Sequence, residues 1–134
     1  MIYNNLLEYE NILFVACNDQ IPLLKALNNM GIKAKAYDYD SKFSGVDNYE
    51  VKDFVFDGLP TDVDLIVNWN CEKTYPLGLL YEGDMILIGD NKKHNGDCNP
   101  VSSCEQLIKQ NKINTVYNMF EEGNHYIVHG SNLS

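Results

Sequence analysis

The sequence contains no arginine: all ten basic residues are lysines, set against nineteen acidic residues for a net charge of −9. Sequence-independent nucleic-acid binding draws on cations that neutralise phosphates, and guanine readout draws on bidentate guanidinium groups. An acidic chain without arginine therefore excludes nucleic acid as a main partner and favours a small-molecule substrate. Long apolar runs are also missing. The longest, "ILFVAC" (12–17), is strand-sized and far short of the roughly 20 residues that span a bilayer, so no membrane partner is expected. The first residues, "MIYNNLLEYEN", carry acids where a signal peptide carries bases, which predicts a cytoplasmic protein. Four cysteines (Cys17, Cys71, Cys98, Cys104) are then expected as thiols. The tight Cys-x₂₋₄-Cys pair of structural zinc sites is absent, and no metal is expected despite His94, Cys98 and Cys104 in one segment and His125 and His129 in another. There is no linker, repeat or low-complexity tract, so residues 1–134 read as one domain.

What is present is a strand–helix alternation. A short leading helix is expected over 3–10. "NILFVACN" (11–18) is a continuous apolar run, the mark of a strand buried on both faces. "QIPLLKALNNMG" (20–31) repeats Ile21, Leu24, Leu27 and Met30 at helical spacing, with Asp19 as cap, Pro22 in the first turn and Gly31 at the stop. "IKAKAYDYD" (32–40) completes a βαβ unit. "VKDFVFDG" (51–58) reads as a third strand and "VDLIVNWN" (63–70) as a fourth, although the "LPTD" between them is too short for a parallel crossover. "GDMILIGDN" (83–91) reads as a fifth strand and "PVSSCEQLIKQNK" (100–112) as a helix capped by Ser102 or Ser103. "INTVYNMF" (113–120) and "HYIVHG" (125–130) then flank a glycine-containing hairpin turn.

Several segments in this order carry a resemblance. "FVACND" (14–19) stands where a glycine-rich loop would end a first strand. Asp38 lies seven residues beyond Gly31, Asp57 sits in "VFDGLP", Asp64 opens "VDLIV", and "LYEGDMILI" (80–88) echoes an L-x-P-G-G turn. From about residue 11 to 130 the chain resembles the class I S-adenosylmethionine-dependent methyltransferases. More narrowly, Asn68, Cys71 and Glu72 match an Asn-x-x-Cys-Glu pattern of small methyltransferase-like proteins encoded by marine phages. The resemblance implies an α/β, Rossmann-like, mostly parallel sheet with a C-terminal antiparallel hairpin and a reduced number of helices. It implies S-adenosylmethionine as cofactor, with Ala16, Cys17, Asn18 and Asp19 along its methionine end. Asp38 would take the ribose hydroxyls, Tyr39 would stack on adenine, and Asp57 would take the adenine amino group. Asn68 and Glu72 become catalytic candidates, and Cys17 and Cys71 become neighbours at one rim.

Two departures stand out: Ala16, Cys17 and Asn18 replace the glycines, and no NPPY or DPPY acceptor motif follows the fourth strand. Alternatives therefore stay open. Asn68 and Asn70 also read as strand-ending residues, Trp69 as a lid on the core, and Cys71 as a small buried hydrophobe. The function is read as a methyltransferase-like enzyme acting on a small acceptor. The alternatives are a catalytically inactive interaction module or oligomer subunit and, more weakly, a nucleotide-binding protein. With too few helices to cover both sheet faces, a homo-oligomer is expected.

Overall fold

The computed structural model describes residues 5–17, 20–90 and 101–133. Seven strands form one sheet: β1 (Asn11–Val15), β2 (Lys33–Asp38), β3 (Tyr49–Val51), β4 (Leu65–Asn68), β5 (Asp84–Asp90), β6 (Thr115–Glu122) and β7 (His125–Ser131). Their order is β3-β2-β1-β4-β5-β7-β6. The first five are parallel, β7 runs antiparallel to β5, and β6 antiparallel to β7. The chain is thus an α/β, Rossmann-like fold with the expected terminal hairpin. The helices given in full by these residues are short: α1 (Ile21–Asn29), α2 (Phe54–Asp57) and α3 (Cys104–Gln110). Within the expected leading helix, residues 5–9 make a helical turn, with Glu8 N donating to Asn5 O at 3.2 Å.

β1 sits mid-sheet because Ile12 to Val15 are apolar on both faces and wholly buried. The side chains alternate between two cores. Phe14, Leu65, Val67 and Ile86 face α1 and its Ile21, Leu24 and Leu27. Leu13, Val15, Ile66, Met85 and Leu87 face α2, α3 and the turn carrying Leu77. Met30, expected on the buried stripe, is instead the exposed C-cap of α1. Gly31 (φ 89°) turns the chain there, and left-handed backbone costs glycine nothing. Asn28 fastens the helix to β2, its amide accepting from Ala34 N and donating to Ala34 O. Asp64 joins the strand starts, accepting from Glu10 N at 3.0 Å and Asn11 N at 2.9 Å. Ser103, one of the two caps expected, accepts from Gln106 N to start α3.

The third strand differs from its expected 51–58. It ends at Val51, and residues 54–57 coil into α2. Asp53 accepts from Val55 N at 3.0 Å while the Asp57 carboxylate accepts from Asp53 N at 2.8 Å. This reciprocal cap satisfies the first free N–H groups of a helix, an alternative that the apolar Phe-Val-Phe run does not reveal. The earlier strand end leaves residues 52–64 for the crossover to β4, which removes the difficulty of the short connection. Both faces of the central strands are covered within one chain, so the bare face invoked for self-association is not found there. Exposed apolar side chains (Val116, Tyr117, Met119) lie instead on the edge strand β6.

Candidate functional site

The order of the parallel strands reverses at β1, flanked by β2 on one side and β4 on the other. Open α/β sheets hold ligands at that point, beyond the carboxyl ends of the strands. Here β1 is followed by Ala16, whose φ of 50° is left-handed, a conformation that alanine adopts at a cost of roughly 1–2 kcal/mol. The position aligned with a glycine thus has glycine-like backbone. Asn70 holds it from β4's side: its Nδ2 donates to Ala16 O at 2.6 Å. Ala16 N in turn donates to Tyr37 O on β2.

Between these ends and α2 lies a cleft of about 280 Å³. Ala16, Asp38 and Tyr39 line it, together with Lys52, Asp53 and Phe56. Residues 73–75 close its far side. Asp38 is 3 % exposed, and its Oδ1 accepts from Asp40 N at 3.1 Å. Tyr39, Phe56 and Tyr75 present exposed rings, and Lys52 lies 4.8 Å from the centre of the Tyr37 ring. The cleft combines a buried acceptor, a second acid and several aromatic faces, which suits a flat heteroaromatic ring bearing hydroxyl groups.

Asp57 is not part of the lining; its carboxylate caps α2. The acid that follows β3 at the cleft is Asp53. Its signal in the sequence is the Asp-x-x-x-Asp spacing of 53 and 57, readable as a capping pair. Lys52 and residues 73–75 were also missed. Asn18 and Asp19, named for the methionine end and for the helix cap, lie outside the described residues, as do His94 and Cys98.

The segment after β4 proves internally bonded. Asn68, 1 % exposed, accepts from Asn70 N at 3.1 Å and donates through Nδ2 to Thr74 Oγ1 at 2.8 Å. Glu72 is buried in a 3₁₀ turn (Cys71–Lys73), and its Oε2 accepts from Asp90 N at 3.3 Å. Trp69 packs edge-on against Phe14 at 5.2 Å. Cys17 and Cys71 do not meet at one rim. Both are buried, Cys17 in the α1-side core and Cys71 in the opposite one. Burial, then the Glu72 charge, pushes the Cys71 thiol well above its ordinary range, which makes it a poor nucleophile. Cys17, Cys71 and Cys104 form no disulfide. Among the described residues no three His, Cys, Asp or Glu side chains gather to hold a metal. No helix among them is long and apolar enough to cross a membrane.

No protein-family model matches the chain, and no curated protein matches it. Among solved structures, a SAM dependent methyltransferase from Aquifex aeolicus aligns with 92 % of this chain and 82 % of its own length, with a TM-score of 0.54 and 17 % identity. This chain therefore shares the fold of that methyltransferase.

Proposed function

We propose that the cleft beyond β1, β2 and β3 binds S-adenosylmethionine or its demethylated product, and that the protein is a methyltransferase-like enzyme for a small acceptor. The observation that carries this reading is Asp38, a buried carboxylate at the carboxyl end of β2 that opens into a cleft beside the switch point. Its charged oxygens are acceptors of the kind that suits the two ribose hydroxyls. Tyr39 offers a ring face for adenine, and Asp53, in place of Asp57, takes the amino group. Ala16, Cys17, Asn18 and Asp19 remain the residues we assign to the methionine end. When bound, the cofactor supplies an electrophilic methyl group; the chain supplies its position. Asn68 holds Thr74 and the loop after β4, and Glu72 ties that loop to the end of β5 through Asp90 N, so their part is to shape the site.

Calorimetry with S-adenosylmethionine and S-adenosylhomocysteine tests the reading. Asp38→Asn should weaken binding by about 1.5–3 kcal/mol, the range for a hydrogen bond to a charged group. Glu72→Gln should spare binding and lower turnover. No heat with either compound at millimolar concentration would favour the interaction-module reading. One observation supports that second reading: β6 is an eight-residue edge strand with exposed Val116 and Met119, a surface through which a homo-oligomer would form. Sedimentation of the wild type beside Val116→Lys separates a β6-mediated oligomer from a monomer.

A further inference from the structure

A second cleft lies at the opposite ends of the strands. Tyr9 immediately precedes the β1 region, Asp84 opens β5, and His129 on β7 pairs with Ile86, which places it on the α1 face. β1 alone separates the two clefts by roughly 16 Å at 3.3 Å per residue. This cleft, of about 400 Å³, is lined by Glu8, Tyr9, Asp84, Tyr117 and His129, with Asn5 and Asn118 at its margin.

Its bonding is directional. Tyr9 donates its hydroxyl proton to Asp84 Oδ2 at 2.7 Å, and its oxygen lies 2.8 Å from His129 Nε2. A phenol has one proton, so Nε2 must be the donor to Tyr9, which fixes the imidazole tautomer. Tyr117 donates to Asp84 Oδ1 at 3.0 Å and sets its ring against His129, centroids 5.0 Å apart. The β6 bulge between Val116 and Asn118 is what turns Tyr117 toward this group. Burial pushes the His129 pKa down, so the ring is neutral near pH 7. The cluster thus contains two carboxylates, two phenol rings and a neutral imidazole, and no cation among the described residues. Neither Glu8 nor Asp84 has a salt bridge among the described residues. Each Asp84 oxygen accepts one of these phenol protons, and a carboxylate has capacity for about four. A half-buried carboxylate beside aromatic faces, with capacity unused and no counter-charge, is the chemistry that selects an organic ammonium ion over a bare metal.

We propose that this cleft is a binding site for a small organic ammonium ion, seated between the Tyr9 and Tyr117 rings against Asp84 and Glu8. It is independent of the cofactor cleft and stands or falls without it.

The probe is tetramethylammonium chloride, added to the intact chain at pH 7.5 while the His129 and Tyr117 ring resonances are followed by NMR. His129→Gln identifies the histidine signal. A saturable shift with a millimolar midpoint is expected, and sodium chloride at equal ionic strength should not reproduce it. Asp84→Asn and Tyr117→Leu should each weaken the interaction about tenfold. Because Asp84 also ties Tyr9 to Tyr117, Glu8→Gln serves as a second variant. Glu8 is exposed and makes no side-chain bond among the described residues, so the fold should be retained and binding weakened about threefold. No saturable shift, an equal shift with sodium chloride, or unchanged midpoints in Glu8→Gln and Tyr117→Leu would overturn the site and leave a purely structural clasp.

Discussion

The bond between Asn70 and Ala16 carries a measurable share of the stability at the cleft beyond β1. Ala16 holds a left-handed backbone at roughly 1–2 kcal/mol. Its carbonyl is taken by Asn70 Nδ2 at 2.6 Å across 54 residues of sequence. Asn70→Ala removes a bond worth about 0.5–1.5 kcal/mol and leaves a half-buried carbonyl unpaired. A loss of about 1–2 kcal/mol is expected. Ala16→Gly relieves the Cβ strain but gives the unfolded chain more freedom, which offsets it by about 0.4–1 kcal/mol. That variant should be neutral to slightly stabilising. If Asn70 serves to hold a strained turn, its removal should cost less once the strain is gone, with a coupling of about 0.5–1 kcal/mol in the double-mutant cycle.

Trp69 is the only tryptophan, it neighbours Asn70, and it packs on Phe14. Its fluorescence therefore reports urea unfolding from beside the bond. At an m-value of about 1–3 kcal/mol/M, Asn70→Ala should lower the midpoint by about 0.3–2 M. An unchanged midpoint would refute the assignment. An equal loss with and without Ala16→Gly would show that Asn70 contributes a hydrogen bond but does not stabilise the turn.

Gly78→Ala should lower stability by about 2–3 kcal/mol, because a Cβ there would overlap the main chain of Asn111, whose Oδ1 already accepts from Gly78 N at 2.9 Å. A melting temperature within a degree or so of wild type would mean that the two segments separate at little cost. His129 gives a pH signature. Its folded pKa lies below the ordinary 6.5, through burial and against the smaller opposing pull of Asp84 and Glu8. The unfolded chain therefore binds the proton first, and stability should fall as pH drops below about 6.5 toward the lowered native value. Urea midpoints measured across that window should show the slope, and His129→Gln should flatten it; an equal slope in the variant would place the titration elsewhere.

The segments legible in the sequence are those whose pattern is local. "ILFV" is buried whichever way its side chains point, and Ile21, Leu24 and Leu27 recur at a spacing that only a helix can bury on one side. Asp38 falls at a strand end because the βαβ unit fixes its place within a few residues. The third strand failed where two local patterns compete: "VKDFVFD" offers strand formers, but Asp53 and Asp57 also make a reciprocal cap, and the cap prevails. Cys17 and Cys71 face different cores because each lies past its strand, Cys17 beyond the left-handed Ala16 and Cys71 in a 3₁₀ turn, where strand alternation no longer sets the direction. The Asn68–Glu72 segment kept its place at the strand end but proved bonded to its own loop and, through Glu72, to the end of β5. The second cleft has no local pattern. Tyr9 meets Asp84 across 75 residues and His129 across 120, and Tyr117 reaches them through a bulge that its neighbours do not announce. Strand order and β5–β7 register decide that meeting. A slip of one residue in that pairing would turn His129 to the opposite face and leave Asp84 with its tyrosines alone, so the cleft depends on the whole sheet.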